Sequence, residues 1–399
     1  MSRQSRAIAR LTIRLTTPLL LIISGCVSGA VRFHPQETVV AARMTPIVSE
    51  RVGNHYFVEA TLNGHGPYAF VLDTGASALF ISPEIAREAD LRPRASRVFS
   101  TDASGRRRQV GVARVRELKL GSAVFRDFDA VVSPVIGGGR IADRPIAGLI
   151  GFAVFRECAL TVDYPGELVL LGGEPPAEGA AVRLSRASSV AETRIDVNGR
   201  QMLAIIDTGA EDGFNIPASR LSDSEFRFGP VPLRLATSMT RTFRQRTGRL
   251  AGTVRLGPHA FADPIVSCDE PFVTIGAEVM RRFRVTLDQR TGQAFFEAKD
   301  AADAAAGLAI GSEPIRMSGV SLELRGDIWR IADVVPGSPA DQAGVHIGDR
   351  VIQVDGIDPT LIPRSQLRML LGFSDPLRLT LERDGRRMGF VLPIRVMVP

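Results

Sequence analysis

The chain is nearly without lysine. Of its 49 basic residues only Lys119 and Lys299 are lysines, so the positive charge is almost all arginine. Such scarcity argues against Ser-Lys and Schiff-base chemistry, which need a lysine amine. Cysteine is scarce too: Cys26, Cys158 and Cys268 stand far apart with no CxxC spacing, which argues against a zinc ribbon or a dithiol redox pair. Whether Cys158 and Cys268 pair is not readable from spacing. The five histidines are scattered and no HExxH occurs, so the helical zinc-protease pattern is missing. Neither a GxSxG elbow nor a GxxxxGK[ST] loop is present, against a serine hydrolase of that type and a P-loop site. The apolar stretch closing at Leu19 to Ile23 is too short to span a bilayer comfortably. What is there is an ordinary globular composition, 45% hydrophobic and 23% charged over 399 residues, enough for about two or three domains.

Two stretches stand out. Phe70 to Ser77 reads FVLDTGAS, an apolar strand running into Asp73-Thr74-Gly75. Ile205 to Ala210 reads IIDTGA and places Asp207-Thr208-Gly209 in the same setting. Each follows a hairpin signal, Asn63-Gly64 after Tyr56 to Leu62 and Asn198-Gly199 after Thr193 to Val197. The parallels continue: Pro83 and Pro217 each lie ten residues after their Asp, and Ser82-Pro83-Glu84 reads as a helix start. Later, GFAVFRECALTVDY from Gly151 aligns with GAEVMRRFRVTLDQ from Gly276, matching Val154 with Val279, Arg156 with Arg281, Thr161 with Thr286 and Asp163 with Asp288. This is an internal duplication at an offset of about 125 to 134 residues.

The doubled triplet resembles aspartic endopeptidases, of the retropepsin-like kind more than pepsin itself. The resemblance implies a mainly β, two-lobed acid-protease fold with a pseudo-twofold axis and one Asp from each lobe. Two carboxylates about 3 Å apart cannot both ionise easily, so they share a proton. The ionised one can take a proton from water and the protonated one can hydrogen-bond the scissile carbonyl. Asp73 and Asp207 are therefore the implied catalytic pair, with no metal and no cofactor. Thr74 and Thr208 would brace the two loops, and Gly75 and Gly209 would allow the tight turn. The family's second signature sits at Leu149-Ile150-Gly151, with Thr274-Ile275-Gly276 as a poorer counterpart. Each lobe should carry a flap, at Val98 to Val112 with Gly105 near its tip, and at roughly Ala236 to Thr253 with Gly248. Both are rich in arginine: Arg106, Arg107 and Arg108 in the first, Arg241, Arg244, Arg246 and Arg249 in the second. We read these as solvated, in preference to selection of acidic substrates. The second triplet departs from the family in continuing Glu211-Asp212, two acids that either raise the pKa of Asp207 or point to solvent. A non-catalytic, peptide-binding lipoprotein acting as scaffold or sensor stays open on that ground.

An alanine-rich linker follows, and then Gly337-Ser338-Pro339-Ala340, Gly348-Asp349-Arg350-Val351-Ile352 and Val354-Asp355-Gly356. These resemble a PDZ domain, a small β/α module that takes a polypeptide C-terminus as an added strand. Its carboxylate loop would be Gly319-Val320-Ser321-Leu322 and its groove helix near Ser365 to Leu371. Leu367 and Leu371 face the peptide or the core, with core preferred, and Trp329 reads as a core or strand residue.

At the other end Arg3, Arg6, Arg10 and Arg14 precede the apolar stretch and Ile23-Ser24-Gly25-Cys26. This resembles a bacterial lipoprotein signal with Cys26 as the lipid attachment site. A plain secretory signal with an incidental cysteine is the alternative. Cleavage would lower the formal charge from +6 to about +2. Val27, in place of an Asp, implies the outer membrane more than the inner. The expected order is signal peptide 1–25, tether 26–45, protease lobes 46–176 and 177–298, linker 299–311 and PDZ domain 312–399. The expected partners are protein or peptide substrates, polypeptide C-termini and, through the lipid, a membrane facing the periplasm, with no nucleic acid.

Overall fold

Asn63-Gly64 and Asn198-Gly199 both take positive φ at each residue, the turn that lets two strands fold back with the natural twist. They join His55–Leu62 to His65–Asp73 in the first half and Glu192–Val197 to Arg200–Ile206 in the second. The computed structural model describes residues 14–15, 22–24, 31–101, 105–134, 140–141, 144–174, 176, 180–237, 242–298 and 310–399. Around each hairpin a ten-stranded sheet forms, and a further six-stranded sheet draws strands from both halves. At its centre Ala159–Asp163 pairs antiparallel with Phe283–Asp288, Thr161 opposite Thr286. The two threonine hydroxyls meet at 2.9 Å. These are the residues the duplication equates, so the pseudo-twofold axis passes between them. One apolar core, from Tyr56 and Phe70 to Phe214 and Ile275, runs through both lobes.

Residues 31–45, read from sequence within a tether, lie against the first lobe. Glu37–Val39 pairs with Ala123–Val132, and Thr45–Pro46 with Leu168–Leu171. Buried Asp129 gives the reason. Its carboxylate accepts the Arg32 amide at 2.8 Å and an Arg94 guanidinium at 3.3 Å, so the leading segment supplies a donor that a buried charge requires. The second flap also differs from expectation. It is the hairpin of Phe226–Thr237 with Thr242–Leu250. Gly248 pairs with Val266 inside the sheet, and residues 238–241, between the two strands, lie outside the described residues. Gly229, Pro230 and Pro232 look like loop residues, yet the strand absorbs them as register shifts. Cys158 and Cys268 are separate free thiols, both buried, and burial pushes each up to about 12.

The C-terminal module is a five-stranded antiparallel sheet in the order Val320–Arg325, Ile328–Val334, Arg350–Val354, Leu377–Arg383, Arg386–Leu392, with the helix Arg364–Phe373 beside it. Leu322, Trp329, Ile331, Leu367 and Leu379 form its core, with Leu371 half-buried against them. It is held on the second flap. Arg244 donates to both carboxylate oxygens of Asp333, one at 3.0 Å. Arg249 donates to the carbonyls of Asp263 (2.7 Å), Ser312 (3.0 Å) and Pro399. Leu233, Val335 and Val398 bury one another at this junction. Arg246 pairs with Asp269 at 2.7 Å, and in the first flap Arg107 lies 5.0 Å over the Phe99 ring. Arg244, Arg246 and Arg249 thus act as structural ties, which neither sequence reading anticipated. Arg241 lies outside the described residues.

Candidate active site

Each triplet is delivered by a strand that a second strand supports from behind. Phe70 to Asp73 runs parallel to Gly148–Gly151, with Gly151 opposite Asp73. In the second lobe Ile205 and Ile206 lie opposite Thr274 and Ile275, and the Asp207 amide donates to the Ile275 carbonyl at 2.9 Å. The glycine ending each signature is a steric requirement. A Cβ at Gly151 would lie 2.2 Å from the Ala78 carbonyl oxygen, and one at Gly276 2.2 Å from that of Asp212. Thr274-Ile275-Gly276 is therefore a full structural equivalent of Leu149-Ile150-Gly151, despite its poorer match in sequence.

The two loops lock together through their threonines. Thr74 donates its hydroxyl to the Ile206 carbonyl at 2.6 Å, and Thr208 donates to the Leu72 carbonyl at 2.9 Å. Each hydroxyl also accepts the opposite threonine's amide, at 3.0 and 3.1 Å. All four bonds are buried and cross the lobe interface, so they fix one loop relative to the other.

Asp73 and Asp207 are fully buried. One oxygen of each is held by its own loop: Asp73 Oδ1 accepts the Ala76 amide at 2.9 Å, and Asp207 Oδ1 accepts the Gly209 amide at 2.8 Å. Both Oδ2 atoms have no other hydrogen-bond partner in the protein. The carboxyls face each other across the axis. A Cβ on Gly75 would lie 2.5 Å from Asp207 Cγ, and one on Gly209 2.7 Å from Asp73 Cγ. Burial, then the charge of the facing Asp207 carboxyl, hold Asp73 well above the usual carboxylate range. Burial also raises Asp207, but the Gly209 amide, the charge of His55 and the Ala210 amide oppose it, leaving about 6. Both carboxyls are thus held above the ordinary range, and they titrate as one coupled pair.

The acids after the second triplet are half-buried and have partners of their own. Glu211 faces His55 Nδ1 at 3.3 Å, and its carbonyl accepts the Asn54 side chain at 2.8 Å. Asp212 accepts the Ser267 hydroxyl at 3.0 Å. The other ring nitrogen of His55 meets the Gly209 carbonyl at 3.1 Å. His55 is thus a tie between lobes that sequence reasoning passed over. An acid at the position of Glu211 was the available signal, since it asks for a cationic partner. Glu270 and Asn215, buried on the same side, were also missed.

In the C-terminal module Gly319 takes φ +94, and a Cβ there would lie 2.0 Å from Ser338 Oγ. Its carbonyl accepts the Val335 amide at 2.8 Å. Val320 and Ser321 open the edge strand of the sheet, Val320 half-buried and Ser321 exposed, while the Leu322 side chain turns into the core. The strand edge therefore offers backbone more than a leucine contact. Cys26 lies outside the described residues. Among the described residues no helix is long and apolar enough to cross a membrane.

Two parts of the chain match known families. Residues 58–154 match the family described as aspartyl protease, and residues 330–383 match the PDZ domain. The chain thus carries an aspartyl-protease domain and a C-terminal PDZ domain. No curated protein matches it. Among solved structures it is similar to the HtrA3 PDZ domain bound to a phage-derived ligand (FGRWV). Identity is 22% over 21% of this chain and 86% of that one, with a TM-score of 0.19.

Proposed function

We propose that the chain is an aspartic endopeptidase acting through Asp73 and Asp207. The observation that carries this reading is the pair of buried carboxyls facing across the axis, each with one oxygen held and one uncommitted. Water between them gives a proton to Asp207 as its oxygen bonds the scissile carbonyl carbon. Asp73 donates its proton to the carbonyl oxygen, which stabilises the tetrahedral species. When the C–N bond breaks, the leaving amine takes the proton from Asp207, and a hydroxyl of the tetrahedral species returns its proton to Asp73 as the C=O re-forms, which restores the pair. No covalent enzyme intermediate forms.

A pH–rate profile tests this. kcat/KM should rise through about pH 6 as Asp207 ionises and fall at higher pH as Asp73 loses its proton. A flat profile would contradict the pair. Stability should show the matching sign. Both carboxyls bind protons more tightly folded than unfolded, so their contribution is fully present below the unfolded carboxylate range. It is lost as pH rises through about 6 and beyond.

The PDZ domain, in this reading, takes polypeptide C-termini along Val320–Arg325 with Gly319 to Leu322 as the carboxylate loop, and recruits or senses substrate. The acidic pair that favoured a non-catalytic scaffold is accounted for by His55 and Ser267. We further place the chain at the bacterial envelope, lipid-anchored through Cys26 and facing the periplasm. Cys26→Ser should move it from the membrane fraction to the soluble one. An unchanged distribution would remove the anchor.

A further inference from the structure

The loop from Cys268 to Val273 carries a carboxyl that the pair of aspartates does not explain. Asn215 fastens this loop, donating its side-chain amide to the Glu270 carbonyl at 3.3 Å and to that of Phe272. Phe272 packs on Val190 and Ile205, beside the strand that delivers Asp207. On its other side Pro271 meets the first flap, its ring 3.6 Å from where a Cβ on Gly105 would stand. The residues that follow Glu270 thus reach Gly105 of the first flap and the strand that leads to the second triplet. Glu270 is 2% exposed, and neither of its carboxylate oxygens has a hydrogen-bond partner. Burial, then the charges of Asp212, Asp207 and Asp269, hold it well above the usual range.

An unpartnered buried carboxyl costs stability and calls for a reason. The uncommitted buried side-chain atoms of Asp207, Asn215 and Glu270 are all oxygens; that of Asn215 accepts as it stands, and those of the two carboxyls accept once a cation beside them favours the ionised form. What complements such a set is a group that only donates: an ammonium offers three N–H bonds and a guanidinium five.

We propose that Glu270 is a specificity residue of the cleft, receiving a lysine or arginine side chain of the bound peptide. This rests on the protease reading for the cleft, but its test does not need turnover. Full-length Asp73→Asn protein is titrated with matched peptide pools that carry lysine or its uncharged isostere norleucine at each position in turn. At one position the lysine pool should bind about tenfold tighter or more, the worth of one charge-assisted hydrogen bond. Adding Glu270→Gln should erase that preference and leave norleucine binding in place. Equal binding of the two pools at every position, binding of neither, or a preference that survives Glu270→Gln would each overturn the proposal. The pool comparison needs no Glu270 variant, so misfolding of Glu270→Gln cannot shelter the idea. Cleavage by the wild-type chain is read separately. A lysine preference without any cleavage would remove the protease reading and keep Glu270 as the cation site.

Discussion

Asp207→Asn should abolish hydrolysis of a denatured protein substrate, and Asp73→Asn should do the same. The loss should be about 10³-fold or more, since proton transfer to and from a placed carboxyl is what each variant removes. An asparagine at 207 cannot take the proton of water. One at 73 can still hydrogen-bond the carbonyl but has no proton to yield. Neither change should unfold the chain. Both carboxyls are fully buried and raised above their ordinary range, so at neutral pH the native state bears the cost of a buried charge that the amide does not impose. Thermal midpoints at or above that of the wild type, with turnover gone, are the expected pairing. Full activity in both variants would reject the mechanism.

Gly75→Ala is the second large effect, and it tests geometry instead of chemistry. The added methyl would stand 2.5 to 2.7 Å from three atoms of the Asp207 carboxyl. No alternative placement is open, because Thr74 and Thr208 fix both loops through four buried hydrogen bonds. The carboxyl must be displaced or the lobes must part. Activity should fall to the level of the aspartate variants, and stability by about 1–3 kcal/mol, the usual cost of overpacking. Gly209→Ala should behave alike, since its methyl would meet Asp73 at 2.7 to 2.9 Å. Gly229→Ala is the control: nothing lies within 4 Å of its Cβ position, and its effect should stay within about 0.5 kcal/mol. Denaturant unfolding and a turnover assay on the three proteins decide the matter. Wild-type activity in Gly75→Ala would mean that the carboxyls do not meet.

Much of this arrangement is legible in the sequence because its constraints are local. A tight hairpin demands Asn-Gly, and close backbone approach demands glycine at 151 and 276, so both leave marks at fixed spacing. The partner of an exposed-looking acid leaves none. Glu211 is answered by His55 and Asp129 by Arg32, contacts between segments far apart in the chain. The first strand of the second flap hid behind Pro230 and Pro232, which a bulged strand absorbs. Arginine abundance hid Arg244 and Arg249, whose task of tying the PDZ domain to that flap depends on the docking of two domains. Spacing left the pairing of Cys158 with Cys268 open, and burial of each as a separate thiol closes it.

The central claim is that one carboxyl from each lobe shares a proton with the other. Titration of the aspartate side chains by carboxyl carbon NMR tests it most directly. The account predicts a linked pair, Asp207 ionising at about 6 and Asp73 well above the ordinary range, with either signal shifting when the other residue is changed to asparagine. Two independent transitions near 4, the ordinary value for an aspartate, each indifferent to the other's replacement, would contradict it.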